Sequence, residues 1–174
     1  MRSKIVLGLL LVLVYASGLR AQDSIKWLSF PEMEAAMAIA PKPVFIDFYT
    51  SWCGWCKRMD SSTFVDKQIV EYINNHFYAV KFDAEHKETV TYKGREFKFV
   101  PSGRRGYNEL AAAYLRGQMS YPSYVVLGAD FDMITTIKGY QRSEQLLPML
   151  SYLAEGHYLN KEWSEYLQDR KSGE

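Results

Sequence analysis

Cysteine is all but missing from this chain: Cys53 and Cys56 are the only two in 174 residues. A fold stapled by several disulfides is therefore excluded. The two that exist would close a loop so short that it removes little unfolded-state entropy, which argues against a purely structural bridge. Histidine is nearly as scarce. His76, His86 and His157 sit away from the cysteines at no recognised ligand spacing, so no metal or other cofactor is expected. Neither sign of charge prevails, with 21 Lys+Arg against 20 Asp+Glu, and nothing in that balance favours nucleic acid or an anionic membrane. Internal repeats, low-complexity runs and a second domain are also missing. The apolar run Ile5–Val14 has ten residues, about half of the roughly 20 needed to span a bilayer.

That short run has another use. Arg2 and Lys4 precede it, and the small residues Ala16, Ser17, Gly18 and Ala21 follow it, which is the pattern of an export signal cleaved near Ala21. No cysteine lies near that point, which excludes a lipoprotein. Residues 1–21 are thus expected to be a signal peptide and 22–174 one domain. Removing Arg2, Lys4 and Arg20 leaves a net charge of −2. A mature chain of about 150 residues buries about 68–70% of its unfolded surface and needs no staple.

The two cysteines lie in the most informative stretch, Val44 to Lys57. A short apolar run, Val44 to Tyr49, ends at Thr50-Ser51, and a helical pattern opens at Lys57. This reads as a buried strand, a sharp turn and a helix whose first turn carries Cys53 and Cys56. At a helix start, residues i and i+3 share a face, and Cys53 would point its sulfur at unpaired backbone N–H groups. Such a place stabilises thiolate, of which an ordinary thiol offers only roughly 3% at pH 7. Cys53 is therefore read as the attacking, accessible thiolate, and Cys56 as the covered, resolving thiol.

The run Asp47-Phe48-Tyr49 through Trp52-Cys53-Gly54-Trp55-Cys56-Lys57 resembles the thioredoxin superfamily, and most closely the exported thioredoxin-like proteins related to the terminal domain of bacterial transmembrane thiol reductases. Trp52 and Lys57 flank the cysteines as in thioredoxins, and Asp47 matches their buried aspartate. Tyr121-Pro122-Ser123 looks like their cis-proline loop. Lys81 and Gly139 fall where the family keeps a lysine near that aspartate and a glycine beside the substrate groove. The likeness covers about Ser24 to Leu153. One departure is the dipeptide Gly54-Trp55, where thioredoxin has glycine-proline. The resemblance implies an α/β thioredoxin fold, a central mixed sheet flanked by helices.

Along the chain, Ser24–Ser29 reads as a first strand and Pro31–Ala40 as a helix facing inward through Met33, Ala36, Met37 and Ala40. The cysteine helix is expected to break near Ser61-Ser62-Thr63 and to resume through Ile73. Phe77–Asp83 is the next strand. Between Ala84 and Met119 lies an insertion: a hairpin through Val90–Tyr92, Lys93-Gly94 and Phe97–Phe99, a loop at 102–106, then a helix capped by Asn108 and ended by Gly117. Tyr124–Leu127 and Met133–Lys138 read as an antiparallel pair, followed by a helix from Ser143. An added C-terminal amphipathic helix, Glu155–Leu167, bears Tyr158, Trp163 and Tyr166, as a core cover or a partner surface.

Asp47, in an apolar strand, is expected to be buried with a raised pKa, and to take the proton of Cys56 through water. Lys81 either pairs with it or is a solvated strand lysine. Trp52 and Trp55 read as packing residues or as an apolar rim for protein substrates. Tyr121, before a cis Pro122, would offer its main chain to an extended substrate. Arg104-Arg105 reads as solvated surface. The functional expectation is a monomeric periplasmic or secreted thiol–disulfide oxidoreductase, acting as reductant on disulfide-containing exported proteins and recharged by a membrane thiol donor. The alternatives are an oxidase or isomerase, or a non-catalytic redox-responsive binding module.

Overall fold

A computed structural model describes residues 24–173. The proposed signal segment lies outside them. The sheet is built on β2 (Val44–Tyr49), which pairs in parallel with β3 (Tyr78–Asp83) and antiparallel with β8 (Ser123–Leu127). A two-residue strand, β1 (Trp27–Leu28), lies outside β3, and β9 (Met133–Lys138) lies outside β8, giving the mixed order β1-β3-β2-β8-β9. The first strand is thus shorter than Ser24–Ser29, although Ile25, just before it, is buried.

Side chains along β2 alternate between two cores. Val44, Ile46 and Phe48 join α1 (Phe30–Ile39) through Phe30, Met33 and Met37. Phe45 faces the other way, into Met59, Phe64, Ile69, Ile73, Leu146 and Leu150 from α2 (Gly54–Ser61), α3 (Lys67–His76), α5 (Ser143–Ala154) and the turn between α2 and α3. Both faces are covered, so β2 is apolar throughout except at Asp47, on the Phe45 side. The helix boundaries have local causes. Ser29 and Glu32 cap α1 reciprocally: Ser29 Oγ accepts the Glu32 N–H at 3.4 Å and Glu32 Oε2 the Ser29 N–H at 2.8 Å. The expected break after α2 is present, with the Ser61 and Ser62 hydroxyls both donating to Arg58 O.

The insertion holds two hairpins, where the sequence indicated one. The first, β4 (Val90–Tyr92) with β5 (Arg95–Phe97), turns at Lys93 and Gly94, both of positive φ. The second, β6 (Phe99–Ser102) with β7 (Arg105–Asn108), occupies the stretch read as a loop. Pro101 and the glycines there obscure strand character, yet Gly103, at φ 57, makes a two-residue turn. Asn108 is fully buried: it caps α4 (Glu109–Tyr114), accepting the Leu110 N–H at 3.0 Å, and its Nδ2 donates to His86 O and Glu88 O. The insertion is thereby fastened near the end of β3. The added C-terminal helix exists but begins later than expected. Gly156, at φ 73, ends the run from α5, a short 3-10 turn spans His157–Leu159, and α6 covers Trp163–Ser172 with Tyr166 buried.

Candidate active site

β2 delivers the cysteines. After Tyr49 the chain turns, with the Cys53 N–H donating to Thr50 O at 3.1 Å, and α2 starts at Gly54 with Cys53 as its N-cap. The two cysteines form a disulfide, with Cα atoms 5.3 Å apart. Cys53 Sγ accepts the Cys56 N–H at 3.0 Å, so the sulfur lies over the positive end of the helix. One expectation is corrected: Cys53 is not the open partner in this oxidised form. It is 5% exposed and Cys56 3%. The bond and the N–H contact hold the Cys53 sulfur in over the first helical turn. The neighbouring tryptophans are the accessible groups, Trp52 at 49% and Trp55 at 63%.

Asp47 is 2% exposed, as its place on the inner face of β2 requires. Burial pushes its carboxyl up to about 7; Lys81 opposes this and the Asp60 carboxylate adds to it. Lys81, opposite Asp47 on β3, puts Nζ 3.4 Å from Asp47 Oδ2 and also bonds Asp60 Oδ1 of α2. Of the two readings for Lys81, pairing is the observed one. Its ammonium also lies 5.0 Å from the centre of the Tyr49 ring and 5.3 Å from that of Trp27. Asp47 Oδ1 accepts no hydrogen bond from the protein among the described residues. A carboxyl half-ionised near neutral pH, with one lone-pair set open, suits proton transfer in either direction.

The sheet register brings the remaining expected residues to the same end. Ser123, first in β8, pairs with Phe48 on one side and with Lys138 on the other. Tyr121-Pro122 and Gly139 therefore flank the turn that follows β2. The Tyr121–Pro122 peptide is cis, Pro122 is buried, and Pro122 O accepts the Gly139 N–H at 2.9 Å with Gly139 at φ 79. Tyr121 packs edge-on against Trp52, ring centres 6.0 Å apart, and Tyr140 lies against Trp55 at 5.5 Å. The loop after Gly139 is tied to the helical side, since Gln141 O accepts from Thr63 Oγ1 at 2.6 Å. Lys57 is exposed and has no ion pair among the described residues.

Three further residues enter the site without having been anticipated. Asp60 shares Lys81; nothing in the sequence distinguishes it from other acids on an exposed helix face. Glu85 accepts the Trp52 Nε1–H at 2.9 Å. Arg105, read as solvated surface, lies with its guanidinium carbon 4.0 Å over the Trp52 ring. It reaches there because residues 102–106, expected as a loop, belong to the β6–β7 hairpin.

Residues 30–154 match the family model of the thioredoxin-like domain. The chain belongs to that family. The matched region contains the whole sheet except β1, both cysteines, Asp47 and the Tyr121–Pro122 loop. Among individual relatives, the thiol:disulfide interchange protein DsbD of Yersinia enterocolitica is 42% identical over 55 residues, 28% of this chain and 10% of that protein. A thioredoxin-like protein of Synechocystis is 33% identical over 60 residues, 34% of this chain and 51% of that one. The chain thus spans between about a tenth and about half of these relatives' lengths. A solved thioredoxin-fold protein from Helicobacter pylori superposes with a TM-score of 0.58 at 19% identity, over 91% of this chain and 92% of that one. The expected fold is therefore present: a mixed sheet flanked by helices, carrying an insertion and an added C-terminal helix.

Proposed function

We propose that this protein is a thiol–disulfide oxidoreductase that exchanges electrons with disulfide-containing exported proteins, and that it works as a reductant. The observation that carries the proposal is the Cys53–Cys56 disulfide at the start of α2, with the Cys53 sulfur on the Cys56 N–H. In the reduced form the same contact and the helix dipole favour Cys53 as thiolate. That thiolate attacks one sulfur of a substrate disulfide, forms a mixed disulfide and expels the other sulfur as a thiolate. Cys56 then gives its proton to the Asp47 carboxylate, by way of water, and attacks Cys53 Sγ. The second substrate thiolate leaves, two electrons have passed to the substrate, and Cys53–Cys56 is a disulfide again.

The half-exposed Trp52 and Trp55, with Tyr121 and Tyr140, form the apolar rim against which a polypeptide rests. Pro122, Gly139 and the Tyr121 main chain line the groove, and Lys57 and Lys81 act behind the cysteines. The apolar run near the N-terminus supports export to an oxidising compartment such as a periplasm, where a reductant must be recharged by a membrane thiol donor. The absence of a histidine between the cysteines supports reduction over oxidation. The test is reduction of a disulfide-bonded protein such as insulin by the purified dithiol form. Catalytic turnover is expected, and it is lost in Cys53→Ser. A dithiol form that binds disulfide proteins without turning them over would overturn the proposal and leave a binding module.

A further inference from the structure

The inserted β6–β7 hairpin reaches the cysteine site through the Arg105 side chain. Arg105 opens β7, and its guanidinium lies over the exposed face of Trp52, the residue directly before Cys53. Glu85 accepts the indole N–H and lies 3.9 Å from Arg105 Nη1, while Tyr121 meets the ring edge-on. Trp52 is thus fixed by three contacts, one of which comes from the insertion. Arg105 remains half-exposed, and Glu85 is its one acidic partner among the described residues. Its neighbour Arg104 is exposed and has no ion pair among them. On the other side of the cysteines, α2 exposes Lys57 and Arg58. Against these four cations stand Glu85, already holding Trp52, Asp83, whose Oδ1 accepts the Glu85 N–H at 2.9 Å, and the exposed Asp60 of α2, which is paired with a fifth cation, Lys81. The rim around Cys53 is cationic, although the mature chain as a whole is expected to be slightly anionic.

We propose that the β6–β7 hairpin selects substrates: Arg105, held over Trp52, receives an acidic side chain next to the cysteine of the disulfide being exchanged. The selection rests on the oxidoreductase reading above. Stacking on the indole keeps the guanidinium from wandering, so little side-chain entropy is lost when a carboxylate arrives. A half-exposed pair of this kind contributes modestly and is screened by salt, so the discrimination is expected to be about three- to tenfold. It acts on the encounter rate and hence on kcat/KM.

The experiment compares disulfide-linked peptides that differ only in carrying Glu, Gln or Lys beside one cysteine. kcat/KM for reduction by the dithiol protein is measured at low and high ionic strength. The parent is expected to prefer Glu over Gln by about three- to tenfold at low salt, and Gln over Lys, with both preferences collapsing at high salt. Arg105→Gln is expected to bring the Glu-to-Gln ratio to about one, while Arg105→Lys, which keeps the charge but loses the planar stack on Trp52, retains part of it. A parent ratio near one, or a preference that survives in Arg105→Gln, overturns the proposal. So does an equal loss with all three peptides, since that would make Arg105 only a prop for Trp52. No reduction of any peptide would remove the oxidoreductase reading itself, and the selection with it.

Discussion

Asp47 joins burial to chemistry within a single side chain. An apolar strand would be better packed with a hydrophobic residue there, and the carboxyl is held near 7 because its charge has been taken out of water. Lys81 offsets part of that cost, but Asp60 draws the same ammonium towards the surface. Asp60→Asn removes a negative charge and leaves Lys81 to Asp47. The Asp47 pKa is then expected to fall below about 7. The pH profile of mixed-disulfide resolution should move to lower pH in step, and an unshifted profile would show that Asp60 does not tune the site. Asp47→Asn is expected to slow resolution by about a hundredfold near pH 7, with the two rates converging at high pH, where hydroxide replaces the missing base. Rapid-mixing kinetics from pH 6 to 10 give the comparison, and equal rates throughout would reduce Asp47 to a packing residue. Asp47 could be picked out from the sequence because it is the polar exception in an apolar run. Asp60 could not, since both of its ties to Asp47, the shared Lys81 and the repulsion between the two carboxylates, arise from packing between elements.

At the scale of elements, the insertion divides into a legible half and an illegible one. Val90, Tyr92 and Phe97 announce β4–β5 through β-branched and aromatic residues around Lys93-Gly94. In β6–β7, Pro101, Gly103 and Gly106 mask a ribbon whose pairing depends on close backbone approach. A Cβ on Gly106 would lie 2.2 Å from Phe99 Cζ and 2.6 Å from Val100 O. The carbonyl belongs to the facing strand and cannot turn aside as a side chain would. Gly106→Ala is therefore expected to loosen residues 99–108 at a cost of about 1–3 kcal/mol, confined to the ribbon because β6–β7 forms its own two-stranded sheet. Hydrogen exchange should show faster amides there with the five-stranded sheet unchanged; unaltered protection in β6–β7 would contradict this. The start of the added C-terminal helix is hidden for a similar reason. The amphipathic pattern runs on from Glu155, but the left-handed Gly156 and the extended backbone of Glu162 bracket a 3-10 turn, so α6 begins only at Trp163.

The molecule as a whole bears the cost of its buried acid. The Asp47 pKa is raised from 3.8 to about 7 on folding, so the native state binds that proton more readily than the unfolded chain. This contribution to stability is fullest below about pH 4, declines as pH rises towards 7 and is flat above it, where the penalty is on the order of 4 kcal/mol. Asp47→Asn should remove that slope and unfold at higher denaturant concentration than the parent at pH 8. Identical pH dependence in the two proteins would mean that the carboxyl is not perturbed. The fold tolerates such a loss because two cores cover both faces of the sheet, and those cores are what the continuous apolar runs of β2 and β8 made legible. Trapping separates the roles proposed for the two cysteines. Each single-cysteine variant, Cys56→Ser and Cys53→Ser, is incubated with a disulfide-bonded protein and resolved without reductant. A mixed disulfide through Cys53 is expected to accumulate in Cys56→Ser and to be absent from Cys53→Ser; trapping by Cys53→Ser, or by neither variant, would contradict the proposed roles.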